Sequence, residues 1–204
     1  MTVSRGRGRP PVTSSAEIER VAVQLFLDYG YENTTIQDIV KACGISKTSF
    51  FRYFRAKSDV IWSAFDDHLT RLSGNLRRQP KDVHVIDAVI DATLETFAVD
   101  IDPAGVWLRR FRLQEEIDRG APRSVHWMMW ADVLSNFVRE RTAIQDSNFV
   151  PEAIGGAIQG ALLAFIRVQD PDAGWVPADT LRDFKIRLES LATGMQRWVD
   201  HATK

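Results

Sequence analysis

One stretch constrains the fold more than any other: residues 34–57, TTIQDIVKACGISKTSFFRYFRAK. Gly44 divides it, because glycine enters the left-handed region that ends a helix without steric cost. The first half predicts a helix over residues 36–43, with Thr35 as N-cap and Asp38, three residues on, completing a capping box. Ile36, Ile39, Val40 and Ala42 are spaced to bury one side of it. Ile45 plugs the turn, and Ser46 caps a second helix predicted over residues 47–54. Phe50 and Phe54, four apart, turn inward; Lys47, Thr48, Phe51 and Arg52 are left facing out, with Tyr53 at the flank. A surface of cation, hydroxyl and aromatic groups suits base edges, thymine methyls and phosphates. Two short helices of this kind form a helix-turn-helix, whose second member enters the major groove of DNA. The candidate DNA contacts are Thr35, Ser46, Lys47, Thr48, Phe51 and Tyr53, joined by Lys57. Lys57 opens a long fourth helix, expected over residues 57–78, where its charge and the helix dipole can meet a phosphate.

The segment before this head is of another kind. Residues 1–13, MTVSRGRGRPPVT, hold glycine and proline and no apolar pattern, so a basic arm disordered in the free protein is expected. Arg5, Arg7 and Arg9 are candidates for a narrow minor groove, whose negative potential draws arginine, or for phosphates. Ser14 and Glu17 then form a capping box for the first helix, which Gly30 ends. Charge is distributed to match. The first 55 residues carry 8 Lys and Arg against 5 Asp and Glu, and the remainder 18 against 22. A basic N-terminal unit fits nucleic acid, and an acidic remainder fits another task.

From Val83 onward the pattern stays helical, with no strand alternation. Asp102-Pro103 and Pro122 read as helix starts and Gly120 as a stop. The body carries an aromatic load: Phe97, Trp107, Phe111, Trp127, Trp130 and Phe165. Stripes of this kind form a core or line a ligand pocket, and the spacing alone allows both. Arg109, Arg110 and Arg112 interrupt the apolar run. Arg112 either pairs with Glu116 four residues on, or Arg109 or Arg112 stands at the pocket mouth to meet an anionic head group; of the two, Arg112, which continues the stretch LRRFRLQEE, is favoured. The last two helices differ again. The first is rich in glycine and alanine and carries Ile158 and Leu162. The second repeats Leu181, Phe184, Leu188, Leu191, Met195 and Trp198 at steps of three and four. Two such stripes serve either one chain's core or a two-fold four-helix interface, and Ile158, Leu162, Phe184, Leu188, Leu191 and Met195 are the candidates for the latter.

Enzyme signatures are missing: there is no phosphate-binding glycine loop, nucleophile elbow or His-Glu-x-x-His, and no set of metal ligands. No catalytic residue, cofactor or metal is therefore expected. The single cysteine, Cys43, excludes an intrachain disulfide. With no apolar run of ~18–20 residues and no apolar N-terminal segment, a cytoplasmic protein without membrane attachment is expected.

The pattern TTIQDIVKACGISKTSFFRYFRAKSDVI resembles the N-terminal domain of TetR-family transcriptional regulators, over residues 14–65. Thr48 stands where a glycine is common in that family, and Phe51 where a tyrosine is common. The stretches FRYFRAKSDVIWSAFDDHLTRLSGNL and LRRFRLQEE, with the region of Trp127, are similar to the mycofactocin-type branch. The resemblance implies an all-α fold: the basic arm (1–13), a three-helix DNA-binding domain (14–60) and a larger helical ligand-binding and dimerisation domain (61–204). It implies a homodimer joined through the last two helices. The function implied is a ligand-responsive regulator, a repressor that leaves a palindromic double-stranded operator when a small apolar or acyl-CoA-like effector binds. The residues leave open an efflux repressor sensing aromatic or cationic drugs, and a helical carrier or enzyme without a DNA function.

Overall fold

The computed structural model describes residues 14–101, 106–118, 125–145, 148–170 and 176–203; every regular element among them is an α-helix. The arm with Arg7 and Arg9, and the expected helix signals at 102–103, 120 and 122, lie outside these residues. The chain divides into two compact units, Met1–Ser63 and Ala64–Lys204.

In the first unit, α1 spans Ser15–Tyr29, α2 Ile36–Cys43 and α3 Lys47–Phe51, and α4 (Asp59–Arg78) begins. Local chemistry sets each boundary. Ser14 and Thr35 both form complete capping boxes, with Glu17 and Asp38 respectively. The Thr35 hydroxyl and backbone N–H both donate to Asp38, and this holds the Asp38 carboxyl below the usual aspartate range. Gly44, at φ 68°, lets the Ile45 N–H return to the Val40 carbonyl at 3.0 Å and its own N–H to Lys41 at 3.2 Å. This double closure satisfies the last carbonyls of α2 and turns the chain sharply into α3. Regular α3 is shorter than the predicted 47–54, but Phe54 still donates to the Phe50 carbonyl at 3.0 Å. Ile18, Ala22, Phe26, Ile39, Phe50 and Phe54 fill the interior, and Cys43 is buried among the core residues at 3% exposure.

The second unit holds the rest of α4 with α5 (Val85–Asp100), α6 (Val106–Asp118), α7 (Val125–Thr142), α8 (Val150–Arg167) and α9 (Pro177–Ala202). Polar pairs tie α4 to α5: the buried Asn75 amide donates to Thr96 Oγ1 at 2.8 Å, and His68 meets the partly exposed Asp100. Helix α5 packs on α7 and α9, and α7 lies along α8. At that last seam Gly155 is required, because a Cβ there would stand 2.6 Å from the Ala131 carbonyl oxygen. Its neighbour Gly156 faces open space. Gly155→Ala is therefore expected to destabilise the fold by about 1–3 kcal/mol through overpacking. Gly156→Ala should instead be neutral or stabilising by up to ~1 kcal/mol through helix propensity. Urea unfolding of the two variants at matched protein concentration checks the contrast.

The stripe expected to face a second copy is spent inside one chain. Ile158, Leu162, Phe184, Leu188 and Met195 are all buried, the most exposed at 4%. The physical reason is that α9 lies against α5 and α8, and α8 against α7 and α9, so both stripes are packed within the chain. Of the six candidates only Leu191 is exposed, at 39%. The outward surface of these helices carries Gly156, Gly160, Leu191 and Trp198 instead.

Candidate nucleic-acid interface and ligand cavity

In the first unit the short α3 offers Lys47, Thr48 and Phe51 to solvent, followed by Arg52 and Tyr53. Phe51 is half exposed and lies edge-on to the buried Phe50 at 5.5 Å, which anchors an outward aromatic on an inward one. The Arg52 guanidinium donates to the Tyr53 hydroxyl at 3.0 Å and lies over that ring, making one paired cation and phenol. Thr35 and Ser46 have structural work. Their hydroxyls accept from the Asp38 and Ser49 backbone N–H groups, so they hold α2 and α3 as caps.

Lys57 departs most from its expected role. It precedes α4 rather than lying in its first turn. Its ammonium donates to the carbonyls of Tyr31 at 2.7 Å and Thr34 at 3.0 Å, and stands 4.0 Å from the centre of the Tyr31 ring. It therefore clasps the connection between α1 and α2. Thr34 braces the same connection: its buried hydroxyl donates to the carbonyls of Leu25 and Gly30. Sequence reasoning misses both roles, because the partners are backbone carbonyls that residue type does not reveal.

In the second unit a cavity of ≈ 200 Å³ lies between α4, α5, α6 and α7. Phe65, Phe97, Trp107, Phe111 and Trp127 form much of its wall, and His68, Asp100, Arg110 and Gln114 supply its polar groups. Of the predicted pocket residues, Phe97, Trp107, Phe111 and Trp127 are thus brought together. Three are not. Phe165 turns to α9, its ring 4.8 Å from that of Phe184. Arg112 points away and donates to the Gln169 carbonyl at 2.8 Å, so the arginine on the cavity is Arg110. Trp130 is fully buried behind the wall. Its indole N–H donates to His68 Nε2 at 3.1 Å.

That bond fixes the state of His68. An indole nitrogen only donates, so Nε2 is the unprotonated nitrogen and the ring proton sits on Nδ1. Nδ1 donates to Asp100 Oδ2 at 2.6 Å, and Arg71 pairs with the other oxygen of Asp100. A chain of polar contacts thus runs from α7 through α4 to the end of α5, along one side of an aromatic chamber. In sequence His68 stands beside Asp66 and Asp67 and reads as a local cap or pair; its partners are instead Asp100 and Trp130.

An outward-facing helix-turn-helix and a separate helical unit enclosing a small aromatic chamber define a regulator class. The chain belongs to the TetR family of bacterial regulatory proteins: that family's profile matches residues 18–62, and the MftR C-terminal domain profile matches residues 83–196. It is a ligand-responsive DNA-binding transcriptional regulator, and the family is non-enzymatic. Over 158 residues it is 27% identical to a relative from Mycobacterium tuberculosis described as the mycofactocin biosynthesis transcriptional regulator MftR; the match covers 77% of this chain and 80% of that one. The transcriptional repressor ComR of Escherichia coli is 29% identical over 77 residues, 38% of this chain and 37% of its own. In fold, the chain is similar to a transcriptional regulator from Aquifex aeolicus VF5, with TM-score 0.58, 17% identity, and coverage of 87% of this chain and 98% of that one. It is also similar to AibR in complex with isovaleryl coenzyme A and operator DNA, with TM-score 0.51, 13% identity, and coverage of 83% and 94%. Among the described residues, no helix is long and apolar enough to cross a membrane.

Proposed function

We propose that this protein is a repressor released from a palindromic operator by a small apolar or acyl-CoA-like ligand held in the cavity of its second unit. The observation that carries the reading is that cavity: aromatic walls with a few polar groups are the usual make-up of a small-molecule site. Lys47, Thr48 and Phe51 read base edges, Arg52 and Tyr53 meet the backbone, and Thr35 and Ser46 hold the two helices in place. Arg7 and Arg9 of the basic arm reach the minor groove or its phosphates. Two copies associate through the outward surface of α8 and α9, where Gly156 and Gly160 allow close approach and Leu191 and Trp198 supply apolar area. A two-fold pair of heads then selects half-sites about one helical turn, or a multiple, apart. Arg110 takes the role first given to Arg112, meeting the polar end of the ligand.

To act as an inducer, the ligand must bind the DNA-incompetent state better than the competent one; equal affinity shifts nothing. AibR, a fold relative, has been captured with a coenzyme A thioester and operator DNA together, which supports this class of effector. Asp100 on the cavity wall is the feature that favours the drug-sensing alternative, since a carboxylate suits a cation. Its charge, however, is already met by Arg71 and by the His68 proton. The test is an operator recovered from random DNA, with its release followed by anisotropy against acyl-CoAs, free coenzyme A and cationic dyes. Release by an acyl-CoA at lower concentration than by free coenzyme A is expected. Release by dyes with no response to any acyl chain would overturn the proposal in favour of drug sensing.

A further inference from the structure

We infer that the cavity is a hydroxyaryl site, taking one phenol-sized ring whose hydroxyl donates to Asp100. The inference rests on the ligand-responsive reading above and narrows what the ligand buries. Size comes first. A cavity of about 150 Å³ lined by aliphatic and phenyl groups holds benzene. The ≈ 200 Å³ here matches one ring and a substituent.

The walls favour a ring on their own account. Trp127 meets Phe65 at 4.9 Å and 73°, and Phe111 at 5.6 Å and 74°. The chamber is thus already arranged in the edge-to-face manner that aromatic groups prefer, and another ring extends that pattern with attraction beyond its buried area.

The polar groups then select the substituent. His68 offers nothing to a ligand, because Nδ1 is donated to Asp100 and Nε2 is taken by Trp130. Asp100 has capacity left. Each carboxylate oxygen accepts more than one hydrogen bond, one oxygen faces His68 and the other Arg71, and 29% of the side chain is exposed. This edge of the chamber therefore asks for a hydrogen-bond donor. A neutral hydroxyl meets the need better than an ammonium, since Arg71 already balances Asp100 and Arg110 stands on the same wall. A hydroxyl donating to a carboxylate makes a charge-assisted bond, stronger than one between neutral groups. The ring could arrive as a free phenol or at the end of an acyl thioester, and the shared chemistry is the hydroxyaryl group.

The test uses the full chain on its operator and calorimetry without DNA. The probes are toluene, p-cresol, 3-phenylpropionyl-CoA, 3-(4-hydroxyphenyl)propionyl-CoA and straight-chain acyl-CoAs from butyryl to palmitoyl. The hydroxylated member of each ring pair should bind about tenfold or more tighter than its counterpart. Asp100→Asn should lower that ratio toward one. Asp100 also ties α4 to α5, so the ratio is read independently in the unsubstituted protein, where the ultraviolet band of bound p-cresol should move to the red of its position in water. Activity confined to the free phenol, or to the thioester, supports the site and identifies the source of the ring. Toluene binding as tightly as p-cresol, or an unshifted band, overturns the inference. Release by palmitoyl-CoA alone overturns it too but leaves the repressor reading standing. If compounds bind but none releases the operator, the repressor reading falls and the site stands; if none binds, both fall.

Discussion

Lys57→Met is expected to weaken binding to every DNA sequence by a similar factor while leaving the salt dependence of binding unchanged. The ammonium is occupied by the Tyr31 and Thr34 carbonyls and the Tyr31 ring, so its removal frees the connection that sets α1 against α2. Hydrogen bonds to a charged group contribute about 1.5–3 kcal/mol each, and a cation over an aromatic face about 0.5–1 kcal/mol. Because Lys57 is only half-buried, about 3 kcal/mol lost from the head is a fair expectation for the three contacts together. A direct phosphate contact would behave differently. Its loss lowers the slope of log affinity against log salt by about one. Measuring that slope for Lys57→Met beside Lys47→Ala separates the roles. A flattened slope for Lys57→Met would return it to the phosphate backbone. Lys47→Ala should change base preference, by about 1–3 kcal/mol if it makes a good base contact.

The second large effect concerns α9. Leu188→Glu places a carboxylate at a position 4% exposed in a single chain, against α5 and α8, so it should unfold the second unit rather than separate a pair of intact copies. An unpaired buried charge costs several kcal/mol, about 4 or more here, a large share of a typical domain's stability. Gly160→Trp is the contrasting change. A side chain at Gly160 meets nothing within 4 Å in its own chain, so the fold should survive while close approach of a second copy is blocked. Sedimentation and circular dichroism distinguish the two variants: Leu188→Glu should lose helicity and melt early, and Gly160→Trp should stay folded as a monomer. A folded, dimeric Gly160→Trp would move the interface off α8.

These outcomes mark where the sequence was legible. Ser14, Thr35, Gly44 and Ser46 act on groups within four residues of themselves, so spacing alone located the helices of the head. The cavity depends on partners far along the chain. His68 stands beside Asp66 and Asp67 in sequence, yet it pairs with Asp100, 32 residues on, and with Trp130, 62 residues on. Arg110 and Arg112 lie two positions apart on one helix, a rotation of about 200°. Which of them reaches the chamber depends on the helices packed around α6, and no local pattern records that. The stripe on α9 has the same limit. Periodicity says that Phe184, Leu188 and Met195 are covered; it does not say whether the cover is this chain or another.

Cys43 has a practical consequence. It is the chain's one thiol, and it is buried in α2 within the DNA-reading unit. A thiol reagent can reach it only when that unit opens, so modification kinetics count local openings of the head. The second unit has no thiol and is silent to the same reagent. The wild-type chain thus carries its own one-site clock, able to time the loosening of the head as DNA, salt or an effector is added, without an engineered label.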